Sequence, residues 1–234
     1  MMNAVSIFCC STIKQAFAFV LLTFNLATTN NAFGISRHML SFLVLAYAIR
    51  LIPSFFLVGY MPVGFGDRAI YYVSETSATL LCVYAYREIA FGKYFYTRDV
   101  QNDIFPFAPV FVCCAILAAL TKSDANSMWF PDWLWMFSQY LECVAIVPQL
   151  LLVSRQGTVQ KVISHFMMNL IFSRMVYGLF WLTVKFSYEG LPFFFQVGIA
   201  ILNISHAIFC GDFVYYFIKS INEDQMVLPF AGQN

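Results

Sequence analysis

Seven apolar stretches separated by short polar breaks set the pattern of this chain. They run over Thr12–Thr29, His38–Val58, Ala69–Tyr86, Ile104–Leu120, Phe130–Val153, Val162–Tyr188 and Phe193–Ile218. Each approaches the roughly 20 residues that a helix needs to cross about 30 Å of hydrocarbon. The breaks are brief: Asn30-Asn31, Gly64-Phe65-Gly66-Asp67, Lys122-Ser123-Asp124 and Arg155-Gln156-Gly157. Nothing between them has the length or polarity of a separate domain, so residues 1–234 are expected to form one polytopic transmembrane unit. The first stretch is read as a span and not a cleaved signal. No basic residue precedes Lys14, and the apolar run continues to Ala27.

Composition agrees with lipid as the solvent. Hydrophobic residues make up 61% of the 234 positions and charged residues only 11%, whereas a soluble domain carries roughly a quarter charged. The net charge of +1 gives no basic field for nucleic acid. Seven cysteines, odd in number and mostly inside apolar runs, fit neither a disulfide framework nor paired zinc ligands. No HExxH, phosphate-cradling glycine loop or Ser–His–Asp order appears, so neither catalysis nor a cofactor is expected.

Basic residues set the orientation. With the N-terminus lumenal, Arg37, Arg87, Lys93, Arg98, Arg155, Lys161 and Lys219 are cytosolic, against Arg68, Lys122 and Lys185 on the lumenal side. That asymmetry is the positive-inside pattern.

Charges within spans carry the chemistry. A charge at the centre of a membrane helix costs roughly 2.5–3.5 kcal/mol or more, which makes it a functional candidate. Arg50, Glu75, Glu142 and Arg174 are the clear cases. Arg50, Glu142 and Arg174 each lie about twelve residues inside their stretch, about 18 Å at 1.5 Å per residue, near the midplane. Glu142 and Arg174 can therefore pair across neighbouring helices, either as a structural tie or within a site. Arg50 shows no partner at its own depth, because Glu75 counts as nearer the lumenal side. An anion-binding role for Arg50 is set against an ion pair with Glu75.

Two polar-aromatic stripes accompany these charges. The sixth stretch carries Arg174, Tyr177, Trp181 and Lys185 at spacings of three, four and four, which share one helical face. The fifth carries Trp135, Glu142 and Gln149 in heptad steps, with Asp132 one turn before Trp135. An aromatic stripe by itself is ordinary core packing. Charge alternating with it at span depth points to a wet cavity. Arg50, Arg174 and Lys185 would make that cavity suit a carboxylate ligand. Pro148-Gln149 leaves a carbonyl without its helical donor and is a candidate hinge, although passive bends arise the same way. Asn203-Ile204-Ser205 has the form of a glycosylation sequon but lies within a span.

The run from Trp135 through Ser138, Tyr140, Leu141, Glu142, Val144, Ala145, Ile146, Pro148, Gln149 and Leu150 is similar to the fifth-helix signature of the KDEL receptors, W-x-F-S-x-Y-L-E-x-V-A-I-x-P-Q-L. The likeness continues through Val153-Ser154-Arg155, Gly157, Ile163-Ser164-His165, Arg174, Tyr177, Trp181 and Cys210-Gly211-Asp212. In the first half it is anchored by Gly34-Ile35-Ser36 and Arg50. The resemblance implies an all-α bundle of seven transmembrane helices, related to SWEET and PQ-loop transporters. It implies a receptor in ER and cis-Golgi membranes that binds the C-terminal tetrapeptide of escaped soluble ER proteins.

In such a receptor Arg50 would hold the terminal carboxylate, and Trp135 and Asp132 would flank the first signal residue. Tyr177 and Trp181 would line the cavity, and Glu142 and Arg174 would form its buried charge pair. Membrane lipid and a COPI coat are the other implied partners, though Asn222-Glu223-Asp224-Gln225 lacks the family's basic tail. Other positions depart as well. Pro53 replaces an acid, Phe8 and Gln15 stand for the first-helix arginine and histidine, and Ser173, Phe180 and Val184 replace sixth-helix polar residues. Weaker pH dependence and weaker selection of a basic first residue are therefore expected. The alternative reading is a PQ-loop or SWEET-type carrier of a small solute.

Overall fold

The computed structural model describes the backbone of residues 4–56, 65–122, 128–187, 193–221 and 225–227, and side chains over slightly less. Seven α-helices dominate the described residues: α1 (Ala4–Thr29), α2 (Arg37–Phe56), α3 (Phe65–Ala90), α4 (Phe107–Thr121), α5 (Trp129–Gln156), α6 (Lys161–Ser187) and α7 (Phe193–Lys219). Each coincides with one apolar stretch of the sequence. The chain is an all-α multi-span membrane protein. Among the described residues α1, α2, α5, α6 and α7 are long and apolar enough to cross a membrane. Helix α3 is long enough but interrupted by charge, and α4 has only 15 residues.

Neighbour relations explain how the charges meet. Helix α1 packs on α6 and α2 on α5; α3 packs on α1 and α2, while α7 packs on α5 and α6. Exchanging α1–α3 with α5–α7 maps these contacts onto themselves, the pattern of two parallel three-helix repeats seen in SWEET-type folds. Helix α4 stands outside the exchange, against α5 and α7. Arg50 and Arg174 each lie thirteen residues beyond the first residue of their helices, α2 and α6. The exchange thus sets two guanidiniums at one depth on either side of the pseudo-axis.

One end of the bundle gathers the α1–α2, α3–α4 and α5–α6 connections. There Arg155 donates to the carbonyls of Asn102 (2.7 Å) and Ile104 (3.1 Å), and Gln156 donates to Asp99 (2.7 Å). This is the end rich in Lys and Arg, hereafter the basic end. Gly157 closes α5 with φ near 75° and its N–H on the Val153 carbonyl at 3.0 Å, the left-handed cap that glycine adopts without strain. Two strands absent from the sequence reading follow. β1 (Thr158–Gln160) pairs antiparallel with β2 (Gln225–Val227), in the register Val159 to Met226, and both of those side chains are buried. Three-residue strands carry no readable alternation, so the tail's return to the α5–α6 turn is a tertiary feature.

Candidate functional site

Four buried charges from four helices form one continuous network. Arg50 of α2 donates through Nε to Glu75 of α3 at 2.8 Å, and its Nη2 also bonds Glu75. Its Nη1 pairs with Glu142 of α5. Arg174 of α6 reaches the same Glu142 oxygen at 3.0 Å and Gln139 Oε1 at 3.0 Å. At the far side Gln15 of α1 donates to the second Glu75 oxygen at 3.4 Å. Two guanidiniums thus face two carboxylates, and the buried charges balance. Such a network survives in an apolar interior because every ion has an opposite neighbour and polar bonds besides. The guanidiniums also lie over aromatic faces, Arg50 over Tyr47 at 5.2 Å and Arg174 over Tyr177 at 5.0 Å.

One expectation is corrected here. Arg50 does not lack a partner at its depth: Glu75 and Glu142 both engage it. Glu75 lies deeper than counted because α3 begins at Phe65, inside a glycine-bearing stretch that reads as a break. Ten helical steps, about 15 Å, carry Glu75 to the level of Arg50.

On the side of the network away from the basic end, aromatic rings close the space. Phe8 stacks on Tyr71 (centroids 5.3 Å), packs on Phe180 (5.0 Å) and meets Tyr177 (6.1 Å). Trp135, Trp181 and Phe195 form an adjoining triangle, with centroids 5.4–5.7 Å apart. Only about 10 Å³ stays open between Phe8, Arg50, Glu75, Trp135, Glu142 and Tyr177. Three of the positions that depart from the KDEL-receptor pattern lie at the α1–α6 interface. Phe8 meets Phe180, and Ser11 and Ser173 exchange hydroxyl-to-carbonyl bonds at 2.9 and 2.8 Å across α1 and α6. At the Phe8–Phe180 contact, positions where the family pattern is polar are thus apolar on both sides of the interface.

The sequence-derived residues separate into two groups. Arg50, Glu142, Arg174, Trp135 and Tyr177 converge on one point, with Trp181 adjoining. Asp132 is buried one turn from Trp135 in the first turn of α5, where an acid complements the helix dipole. The side chain of Lys185 lies outside the described residues. Pro148 and Gln149 lie apart, toward the basic end, within an α5 that runs unbroken from Trp129 to Gln156. Gln139 and Gln15 were missed as network members. Gln139 precedes Glu142 by three residues, a spacing that shares its face and is a readable signal. Gln15 has no such spacing; its cue is that it stands in the place of the family's first-helix histidine.

Gln149 clamps the start of α2. Its Oε1 accepts from the Ser36 N–H at 2.7 Å, and its Nε2 donates to the Gly34 carbonyl at 2.6 Å. Gly34 has φ near 85°, and a Cβ there would press on Ile163 at 3.3 Å. Asp103 completes the clamp, accepting from Ser36 Oγ (2.6 Å) and the Arg37 N–H (2.8 Å) beside His38. Burial works against the charge on Asp103. The hydrogen bonds from His38 and Ser36 outweigh it and hold the carboxyl below its ordinary range. Gln149→Leu keeps the volume and strands two buried backbone groups, at about 1–3 kcal/mol each. Thermal unfolding should therefore shift to lower temperature, with faster tryptic cleavage after Arg37. An unchanged melting temperature would reject the clamp.

A sequence profile of the ER lumen protein retaining receptor family matches residues 31–184, from the α1–α2 connection through most of α6. The ER lumen protein-retaining receptor of Drosophila melanogaster is 27% identical over 220 residues, 93% of this chain and 95% of its own length. ER lumen protein-retaining receptor 2 of Homo sapiens is 26% identical over 212 residues, 91% of this chain and 93% of its own. A match across five of the seven helices makes this chain a member of the ER lumen protein retaining receptor family.

Proposed function

We propose that the chain binds C-terminal retention signals of soluble ER proteins and carries them from Golgi back to ER, as a binding protein without a chemical step. The observation that supports this best is the convergence of Arg50 with Trp135 and Tyr177 at the bundle centre, in a chain of this receptor family. A signal carboxylate would reach Arg50 by taking the place of Glu75 or Glu142 on its guanidinium. Phe8, Tyr71, Tyr177 and Phe180 would have to part to admit it. Asp132 and Trp135 would then meet the first signal residue.

The test is binding of short peptides to the protein in nanodiscs. Peptides ending in free KDEL and MDDL should bind within about tenfold of each other, about 1.4 kcal/mol. A cation–π contact with Trp135, about 0.5–2 kcal/mol, and one carboxylate are what remain to favour lysine where Pro53 replaces an acid. Amidated KDEL should not bind. Undiminished binding of the amide, or a strong lysine preference, would overturn this reading. Saturable solute uptake into proteoliposomes would favour a carrier instead.

The proposed topology has seven spans, with α3 and the short α4 included and the basic end in the cytosol. A tag at the C-terminus should be digested by protease added to sealed microsomes; protection of that tag would reverse the orientation.

A further inference from the structure

Helices α6 and α7 do not close against each other along their outer faces. Between them lies a crevice of about 450 Å³, far larger than the space left inside the charge network. Its walls are Met175, Leu179, Leu182, Ile199, Ala200 and Ile204. Leu179, Leu182 and Ile204 are at least half exposed, so the crevice opens outward from the bundle and not into it. Its floor is polar, with Arg174, Asn203 and His206. Asn203 sits close to the α6 backbone only because residue 178 is glycine: a Cβ there would lie 2.6 Å from Asn203 Oδ1.

Both helices are apolar enough to span, so the surroundings of this opening are acyl chains. Its length fits one leaflet. From Arg174 to Leu182 α6 rises about 12 Å, and from Phe195 to Ala207 α7 covers about 18 Å, against about 15 Å for half the hydrocarbon core. The polar floor stands at the depth of the charge network, at the midplane, where a chain entering from one side ends. The mouth lies beside Trp181 and Phe195, at the end away from the basic loops. A volume of this size is also ordinary for a pocket that buries a ligand.

We propose that this crevice is a lipid site, seating one acyl chain of a phospholipid from the leaflet opposite the basic end, with the chain end resting near Arg174 and His206. The occupied crevice borders the Trp135–Trp181–Phe195 triangle, so the seated chain supports the outer side of the rings that face the signal site.

The test uses nanodiscs of phosphatidylcholine doped with two photoreactive analogues. One carries a diazirine at the end of an acyl chain, the other a diazirine close to the glycerol. After irradiation, adducts are mapped by mass spectrometry. The chain-end probe should label residues 174–178 and 203–207, and the glycerol-proximal probe residues 182 and 195–196, each well above the exposed α1 positions Phe17 and Phe24. Ala200→Phe, which projects a ring into the crevice, should lower crevice labelling at least fivefold while labelling of α1 stays constant. Ala207→Leu serves the same purpose if the first variant fails to fold. Adducts spread evenly around the bundle, no separation of the two probes by depth, or crevice labelling unchanged in a folded filling variant would each overturn the proposal.

Discussion

Arg50→Ala should both destabilise the protein and abolish signal binding, and adding Glu75→Gln should restore the fold without restoring binding. Arg50 holds Glu75 through two donors and Glu142 through a third. Its removal leaves two buried carboxylates with only Arg174 to offset them. Breaking a buried pair from one side typically costs about 3–5 kcal/mol. In a protein whose total stability is of order 5–15 kcal/mol, that is enough to send much of it to degradation. Loss of binding by the single variant would therefore say little. Glu75→Gln removes the one unpaired charge, and the amide can still bond Gln15 across the 3.4 Å contact. The double variant leaves Glu142 facing Arg174, a balanced pair. If it melts near the wild type and still binds free-carboxylate peptide, Arg50 belongs to the scaffold and the ligand role assigned to it fails. If it melts as low as Arg50→Ala, the ion pair with Glu75 is not what the guanidinium sustains.

Much of this arrangement was legible in the sequence, for a physical reason. A charge inside an apolar stretch is conspicuous, and helical rise converts its position into depth, so Arg50, Glu142 and Arg174 could be set at one level before any contact was known. Seven apolar stretches likewise gave seven helices, because spacing against lipid is a one-dimensional signal. What could not be read depends on which helix faces which. Glu75 reads as nearer the lumenal side because α3 starts within Gly64-Phe65-Gly66-Asp67, where glycine and charge imitate a loop. Phe8 and Phe180 were visible as departures from the family pattern. That they touch, and so replace one polar interface by one apolar interface, follows only from α1 packing on α6. Gln149 reads as a hinge residue, yet its amide is spent on Gly34 and Ser36, 115 and 113 residues away in the chain. The β1–β2 pair, three residues a side, falls below any periodic pattern.

Glu142 should be the least replaceable member of the network, and Arg174 should become dispensable to the fold once Glu142 is gone. Among the carboxylates of the described residues Glu142 alone pairs with both guanidiniums, Arg50 on one side and Arg174 on the other at 3.0 Å. Glu142→Leu leaves two arginines against Glu75, an excess positive charge in a water-poor interior. A loss of about 3–5 kcal/mol is expected from the charge imbalance alone. Arg174→Leu leaves the opposite excess, one arginine between two glutamates, and should destabilise by a similar amount. Glu142→Leu combined with Arg174→Leu removes one charge of each sign and fills the space. Arg50 and Glu75 then remain as a closed pair, because their two bonds involve neither substituted residue. The double variant should therefore be more stable than either single variant, a coupling of at least about 2 kcal/mol, within the range seen for residues of one charge network. The readout is thermal unfolding of the four proteins in one detergent, followed by peptide binding of the double variant. Additive losses would mean that the two side chains act independently, and the shared carboxylate would then not be what joins α2, α5 and α6. A stable double variant that still binds signal would confine Glu142 and Arg174 to holding the bundle together. A stable double variant that has lost binding would place them in the site itself.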